Sequence, residues 1–424
     1  MTLQARHAQC KPSQFRRRQR AAELGLLGRP DMKAAPVAGK RLLVVQRRLT
    51  HYRIPFFEGV RARLAAAGVP FTLAVGTPTS AERDKHDEGH VPWAVNVPCT
   101  YALGGRVCWQ PLRALVAQHD YVVVTQENKL VNNLPLLMGR QRCRVGLWGH
   151  GRNFQAAEAR SAGLAQAVKA ALSRRADWWF AYTELSAATV RGFGYPGARI
   201  SVLNNAIDTA ALSAAVARAQ TRGRAALRAA HGLSSTAPLG LYLGSLYAEK
   251  RLDLLIDGAE AVRRELPTFE LAVVGAGPQA GWLRERVSTL PWVHLLGAQQ
   301  GTAKAELLAA ADVMLNPGLV GLGILDAFAA TLPMVTTDCG LHSPEISYLQ
   351  HGDNGLMTAP AAAPFAAAVL QVLRTPTLVA VLRAGCARSA VDYGLAAMVS
   401  RFCAGVLDWQ ASSRLGTIGR AGLA

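Results

Sequence analysis

Acidic residues are scarce in this chain of 424 residues, where 28 Asp and Glu face 47 Lys and Arg for a formal net charge of +19. That balance calls for an acidic partner: nucleic acid, anionic lipid or a phosphorylated substrate. The basic residues form no aromatic-interleaved stripe and show no zinc-finger or basic-zipper spacing, which argues against nucleic acid as the partner. Seven cysteines (Cys10, Cys99, Cys108, Cys143, Cys339, Cys386, Cys403) are odd in number and never in CxxC spacing. A disulfide framework and a structural zinc site are therefore not expected, and a reducing compartment is the default. The first residues include RHAQCKPSQFRRRQR, which lacks the apolar core of an export signal. Residues 1–33 read as a disordered basic arm, and Met32 offers a second start just ahead of the first strand. No apolar run is long enough to span a bilayer without interruption. The region Leu307 to Val335 comes nearest, but Asp312, Asn316, Pro317, Asp326 and several glycines break it into strand-sized and helix-sized core pieces.

What the chain does have is length for two domains and an apolar content of 50%, enough for well-filled cores. Short apolar runs of the buried parallel-strand type recur in two series. The first comprises RLLVVQ, FTLAVG, YVVVTQ, RVGLWGHG and DWWFAYT, with an amphipathic helix around Phe56 to Ala67. The second comprises PLGLYLG, FELAVVGAG, WVHLLG, DVMLNPG and PMVTTD, with a helix through Leu252 to Arg264. This alternation predicts an α/β protein with two Rossmann-like, doubly wound domains facing a cleft, their ligands at the carboxyl ends of the strands. The expected boundaries are 34–208 for an N-terminal Rossmann-like domain, 209–236 for a connection, 237–395 for a C-terminal Rossmann-like domain and 396–424 for a C-terminal helix and tail.

Several constellations carry chemistry. In NPGLVGLGILDAFAATLP (Asn316 to Pro333) a Gly-rich turn precedes a helix with a single acid, Asp326. Such a turn brings bare backbone N–H groups against an anion. In LYLGSLYAEKRLDLLIDG, Gly244 and Ser245 follow a strand, and Lys250 and Arg251 stand just before a helix. Two adjacent cations there suit a pyrophosphate. GAGP (Gly275 to Pro278) falls short of the full G-x-G-x-x-G pattern, so no nicotinamide cofactor is expected. RDKHDEGH, with His86 and His90 four apart, is the one metal-like cluster, but Gly89 and the polar flanks read as a solvated loop, and no metal site is expected.

Taken in order, GSLYAEKRLDLLIDGAEAV, LAVVGAGP, VHLLG, the Asn316 stretch and PMVTTDCGLHSPEISYLQHGDNGLM resemble the donor-binding half of retaining GT-B glycosyltransferases, family four in the usual classification. The likeness is strong across Pro238 to Met357 and looser before it. It implies that Lys250 and Arg251 hold the donor's phosphates beside Gly244 and Ser245, the latter standing where Arg is common. It also implies that Asp326, second acid of an E-x7-E pair, binds the ribose, while Gly318 stands where the first acid would contact the sugar. Gly321, Leu322 and Gly323 would address phosphate or sugar, and Glu345, in a proline-acid pair, would help orient the donor. By the same resemblance His150, between two glycines at a strand end, contacts the transferred sugar or settles charge at the reacting centre. Arg152 and Asn153, with His51, Tyr52 and Arg53 after the first strand, are assigned to the acceptor side.

The implied activity is transfer of a sugar, with retention, from a nucleotide-diphosphate sugar to a hydroxyl of a glycan or lipid-linked acceptor. No cofactor and no nucleic-acid partner are expected, and the basic charge suggests an anionic membrane surface at its cytoplasmic face. The departures at Ser245 and Gly318 keep two alternatives open: a GT-B-shaped binding protein without catalysis, and a sugar-nucleotide epimerase or phosphorylase.

Overall fold

The computed structural model describes residues 40–83, 87–139, 142–151 and 170–412. The arm assigned to residues 1–33, with Met32, His86, Arg152 and Asn153, lies outside the described residues. The described residues form one compact unit.

Its strands, in chain order, are β1 (Leu42–Gln46), β2 (Phe71–Gly76), β3 (Val95–Val97), β4 (Thr100–Ala102), β5 (Val107–Trp109), β6 (Tyr121–Thr125), β7 (Arg144–Gly149), β8 (Trp178–Ala181), β9 (Ile200–Val202), β10 (Leu239–Leu243), β11 (Glu270–Val274), β12 (Val293–Leu295), β13 (Val313–Asn316), β14 (Met334–Thr337) and β15 (Gly355–Thr358). The first sheet runs β3-β2-β1-β6-β7-β8-β9 and the second β12-β11-β10-β13-β14-β15, with β4 and β5 apart as an antiparallel hairpin. Every pairing within the two large sheets is parallel. The α/β, doubly wound expectation therefore holds for both halves. Central strands such as β6, β7, β13 and β14 are buried along their whole length, which is why their apolar residues run consecutively rather than alternating, with polar residues such as Thr125, Arg144, Asn316, Thr336 and Thr337 towards the strand ends. The short strands β3, β9 and β15 escape a search for apolar runs because they lie at sheet edges and are only partly covered.

The region Leu307 to Val335 resolves into the end of the helix Gly301–Ala310, then β13, the helix Gly323–Ala329 and β14, all largely buried. Among the described residues no single helix is long and apolar enough to cross a membrane. The stretch expected as a connection is itself structured. Helices Ala210–Gln220 and Arg224–Ala230 pack against Gly301–Ala310, and buried Arg228 donates to the Ala310 carbonyl at 3.0 Å and to Asp312 at 2.7 Å.

The chain's last described helix, Leu395–Ala411, returns to the first sheet rather than staying with the second. Phe402 stacks on Phe180 at 4.8 Å and meets Phe56 at 5.5 Å, while Trp409 stands edge-on to Tyr121 at 4.8 Å. Arg144 ties down its end through the Trp409 and Ser412 carbonyls at 2.9 and 2.7 Å.

Candidate functional site

Both sheets reverse their winding at one place, between β1 and β6 in the first and between β10 and β13 in the second. Loops leaving adjacent strands in opposite directions there open a crevice at the strands' carboxyl ends. In the second sheet that crevice is bounded by Gly244 to Arg251 on one side and Pro317 to Val320 on the other.

The first of these turns is held by backbone. Gly244 N–H donates to Val274 O at 3.0 Å and Leu246 N–H to Ala276 O at 2.9 Å, while the Ser245 carbonyl accepts from the Tyr242 hydroxyl at 2.9 Å. A Cβ on Gly275 or Gly277 would overlap the Gly244 or Leu246 carbonyl, so the GAGP glycines serve this close approach. Ala248–Lys250 form one 3-10 turn, and Arg251 takes a left-handed φ of 51° before the helix Leu252–Glu265 begins. Lys250 is buried, donates to the Leu319 carbonyl at 2.5 Å and lies 5.5 Å from the Tyr247 ring centre. Burial lowers its pKa to about 8, against an opposing pull from Cys339. Arg251, at the mouth, pairs with Asp253 at 2.8 Å, which raises its pKa.

The second turn is pressed onto the first. Leu319 N–H donates to Glu249 O at 2.8 Å, and a Cβ on Gly318 would overlap the backbone of Glu249 and Lys250. The missing acid at position 318 is thus a demand of packing: no side chain fits there while the two turns touch. His342 closes the far side. Its Nδ1 accepts from Val320 N–H at 3.0 Å, and its Nε2 lies 2.6 Å from the Thr337 carbonyl, to which it donates. Burial lowers the His342 pKa, so the neutral ring with its proton on Nε2 is favoured.

Gly321 and Leu322 lead into the helix Gly323–Ala329, which has only 7 residues and hence a weak dipole. Asp326 does not stand free on that helix. It is buried and paired with Lys304 at 2.9 Å; burial raises its pKa and Lys304 opposes the rise. A ribose here would share the carboxylate with Lys304.

The remaining candidates gather elsewhere. His150 sits in a turn that Gln126 clamps with both ends of its amide: Gly151 N–H donates to Gln126 Oε1 at 3.0 Å, and Gln126 Nε2 donates to Gly151 O at 3.3 Å. Its ring stacks on Tyr182 at 4.1 Å. Arg53 lies 5.8 Å from the ring centres of Tyr182 and Trp148 and 5.5 Å from that of Tyr52. Arg53 Nη2 donates to Asn205 Oδ1 at 2.5 Å, and Asn205 Nδ2 donates to Glu345 Oε1 at 2.7 Å. Glu345 is buried, which raises its pKa against the opposing effect of Asn205. His51 turns away, its Nδ1 3.3 Å from the Asp87 carbonyl. Asp87 in turn pairs with Arg48 at 2.7 Å, and among the described residues no cluster of His, Cys, Asp or Glu has the makings of a metal site.

The structure therefore brings Lys250 against the Gly318 turn, and Arg53 towards both His150 and Glu345. His51, in the same 3-10 turn as Arg53, instead meets the Asp87 carbonyl, and Asp326 pairs with a residue of another helix. Sequence reasoning missed Lys304, His342, Gln126, Tyr182 and Asn205. Only Asn205 carried a local signal, the Asn204-Asn205 pair after β9, where Asn204 adopts φ 52°.

Residues 237–375 match the family model described as Glycosyl transferases group 1. A glycogen synthase of Mycobacterium tuberculosis is 32% identical over 191 residues, 43% of this chain and 42% of that protein, so the chain spans about two fifths of its length. A GDP-mannose-dependent alpha-(1-6)-phosphatidylinositol monomannoside mannosyltransferase of the same species is 28% identical over 284 residues, 62% of this chain and 69% of that protein. Among solved structures, Anabaena Alr3699/HepE in complex with UDP superposes with a TM-score of 0.61 at 15% identity, over 87% of this chain and 99% of that one. At that identity the likeness speaks to the fold alone. The described chain has the GT-B fold of two Rossmann-like α/β halves, and its second half carries the match to Glycosyl transferases group 1.

Proposed function

We propose that this chain is a glycosyltransferase that moves a sugar from a nucleotide-diphosphate donor to a hydroxyl acceptor. The observation that carries the reading is the second sheet's switch point, where buried Lys250 and mouth-facing Arg251 flank a crevice sealed by the Gly318 backbone. There the two cations receive the donor's diphosphate and stabilise the charge that develops as it leaves, without a metal ion. Asp326 takes the ribose hydroxyls in partnership with Lys304. His150, fixed by Gln126 and Tyr182, faces the reacting sugar. Retention follows from the resemblance to family four: the leaving phosphate takes the acceptor's proton on the face it departs from.

The acceptor belongs, on this reading, to a surface glycan or a lipid-linked glycan. The charge of +19 supports an enzyme held peripherally on the anionic cytoplasmic face of a membrane. The match to a phosphatidylinositol mannoside enzyme supports a lipid-linked acceptor.

A thermal-shift panel of nucleotide diphosphates tests the donor, since ligand binding to the native state raises apparent stability. Turnover with and without a hydroxyl acceptor then separates the classes. Transfer that requires acceptor supports the proposal, and a product formed without acceptor points to an epimerase. Binding without turnover points to the inactive binder that Gly318 would favour, and no shift with any nucleotide diphosphate overturns the reading.

A further inference from the structure

Asn205 bonds through its backbone N–H, its backbone carbonyl and both ends of its side-chain amide, and the four partners lie in three different segments of the chain. Its backbone N–H donates to Tyr182 O at 2.7 Å, just beyond β8, and its carbonyl accepts from the Tyr348 hydroxyl at 3.2 Å. Its side-chain oxygen accepts from Arg53 at 2.5 Å, and its side-chain nitrogen donates to Glu345 at 2.7 Å. The residue is buried, on the chain's first passage from one sheet to the other. Arg53 and Tyr182 belong to the first half and continue, through ring contacts, to His150. Glu345 and Tyr348 belong to the turn Pro344–Tyr348 of the second half, whose neighbour Ser343 donates its N–H to Val320 O at 3.0 Å in the donor-side crevice.

We infer that Asn205 is a positioning residue that couples the two halves of the site, so that filling the donor crevice fixes Arg53 and, through Tyr182, the ring of His150. The chemistry is specific to an amide. Arg53 can only donate and the Glu345 carboxylate can only accept, so the group between them must accept on one side and donate on the other. Glu345 then acts through Asn205 and does not touch the donor. The inference rests on the proposed diphosphate site only for what fills the crevice.

The test uses amide hydrogen exchange of the full chain with UDP and GDP as probes. In the parent, bound nucleotide is expected to slow exchange in both 344–350 and 51–56. Asn205→Asp sets two acceptors face to face and should reduce the protection of 51–56 at least tenfold while that of 344–350 persists. Glu345→Gln alone keeps its acceptor oxygen and should behave as the parent. The pair Asn205→Asp with Glu345→Gln reverses the hydrogen bond's direction and should restore protection of 51–56. A residue that only fills space would loosen both segments equally with or without nucleotide, which overturns the inference, as does a double variant no better than Asn205→Asp. Should Asn205→Asp fail to fold, Arg53→Met removes the other arm, and unchanged ligand-dependent protection at 51–56 in that variant also overturns it. Should neither nucleotide bind the parent, the donor reading falls. The link is then decided without ligand: it stands if exchange in 51–56 rises in Asn205→Asp more than in 344–350 and recovers in the double variant, and it falls otherwise.

Discussion

Lys250 is costly to bury in the ligand-free protein, and on the proposed reading it is useful once a diphosphate is bound. Burial depresses its pKa from 10.5 to about 8, so between those values the unfolded chain binds the extra proton and stability rises with pH. Lys250→Met is accordingly expected to stabilise the ligand-free protein at pH 7, an advantage that shrinks as pH climbs through 8. The same variant should weaken nucleotide-diphosphate binding by about 1.5–3 kcal/mol, the worth of a charge-assisted hydrogen bond, with little change for the parent nucleoside. Calorimetry in buffers of different ionisation enthalpy should show proton uptake on binding above pH 8. Equal losses for nucleoside and diphosphate would remove the phosphate assignment. Asp326 and Lys304 make a second residue-scale test. Lys304→Met leaves a buried carboxylate without its partner and is expected to cost about 3–5 kcal/mol of stability. Asp326→Asn should cost less but lower affinity for ribose relative to deoxyribose nucleotides; an unchanged ratio would show that the carboxylate does not bind those hydroxyls.

At the scale of elements, the site depends on turns that touch through bare backbone. Gly318→Ala places a methyl group inside the contact distance of the Glu249 and Lys250 backbone. The expected result is a loss of more than about 2 kcal/mol, typical of severe overpacking, together with loss of diphosphate binding. Gly318→Glu should fail in the same way, and a stable, better-binding Gly318→Glu protein would show that the two turns separate easily. His342, as a neutral ring beside Cys339, Asp338 and Lys250, ties Val320 of the second turn to the end of β14. Its folded pKa lies below the ordinary 6.5, so its contribution is present above that value and is lost as pH falls through the folded pKa. Thermal melts of His342→Gln should show a flatter acid limb than the parent.

For the whole molecule, the last helix is the decisive element. Met398, Phe402, Val406 and Trp409 are all buried, and Phe402 and Trp409 lie against aromatic residues of the first half. Ending the chain at Gly394 should therefore unfold the first sheet before the second. The order of exchange in β6 and β7 against β10 and β13 would measure it, and an undisturbed first sheet would refute it. Charge acts at the same scale. Each Lys or Arg near an anionic surface is worth about 1 kcal/mol and is screened within a Debye length of about 8–10 Å. Sedimentation with anionic vesicles is expected to be salt-reversible and absent with neutral lipid; equal binding to both would defeat the electrostatic account.

The two doubly wound sheets were legible in the sequence because a strand buried on both faces carries a consecutive run of apolar residues, and β1, β6, β7, β10, β11, β13 and β14 each hold such a run. The turns with Lys250 and Gly318 were legible for a related reason: local backbone demands leave glycine and charge at strand ends. Partnership was not. Lys304 beside Asp326, Asn205 between Arg53 and Glu345, and the last helix against the first sheet join residues 22, 140 and more than 200 positions apart. No periodicity encodes such pairs, since hydrogen bonds and ring contacts form between whatever the folded chain brings together. The alternation of buried strands and helices followed from the sequence itself, while the order of strands in each sheet, which charge meets which, and which half the final helix completes were decided only by tertiary packing.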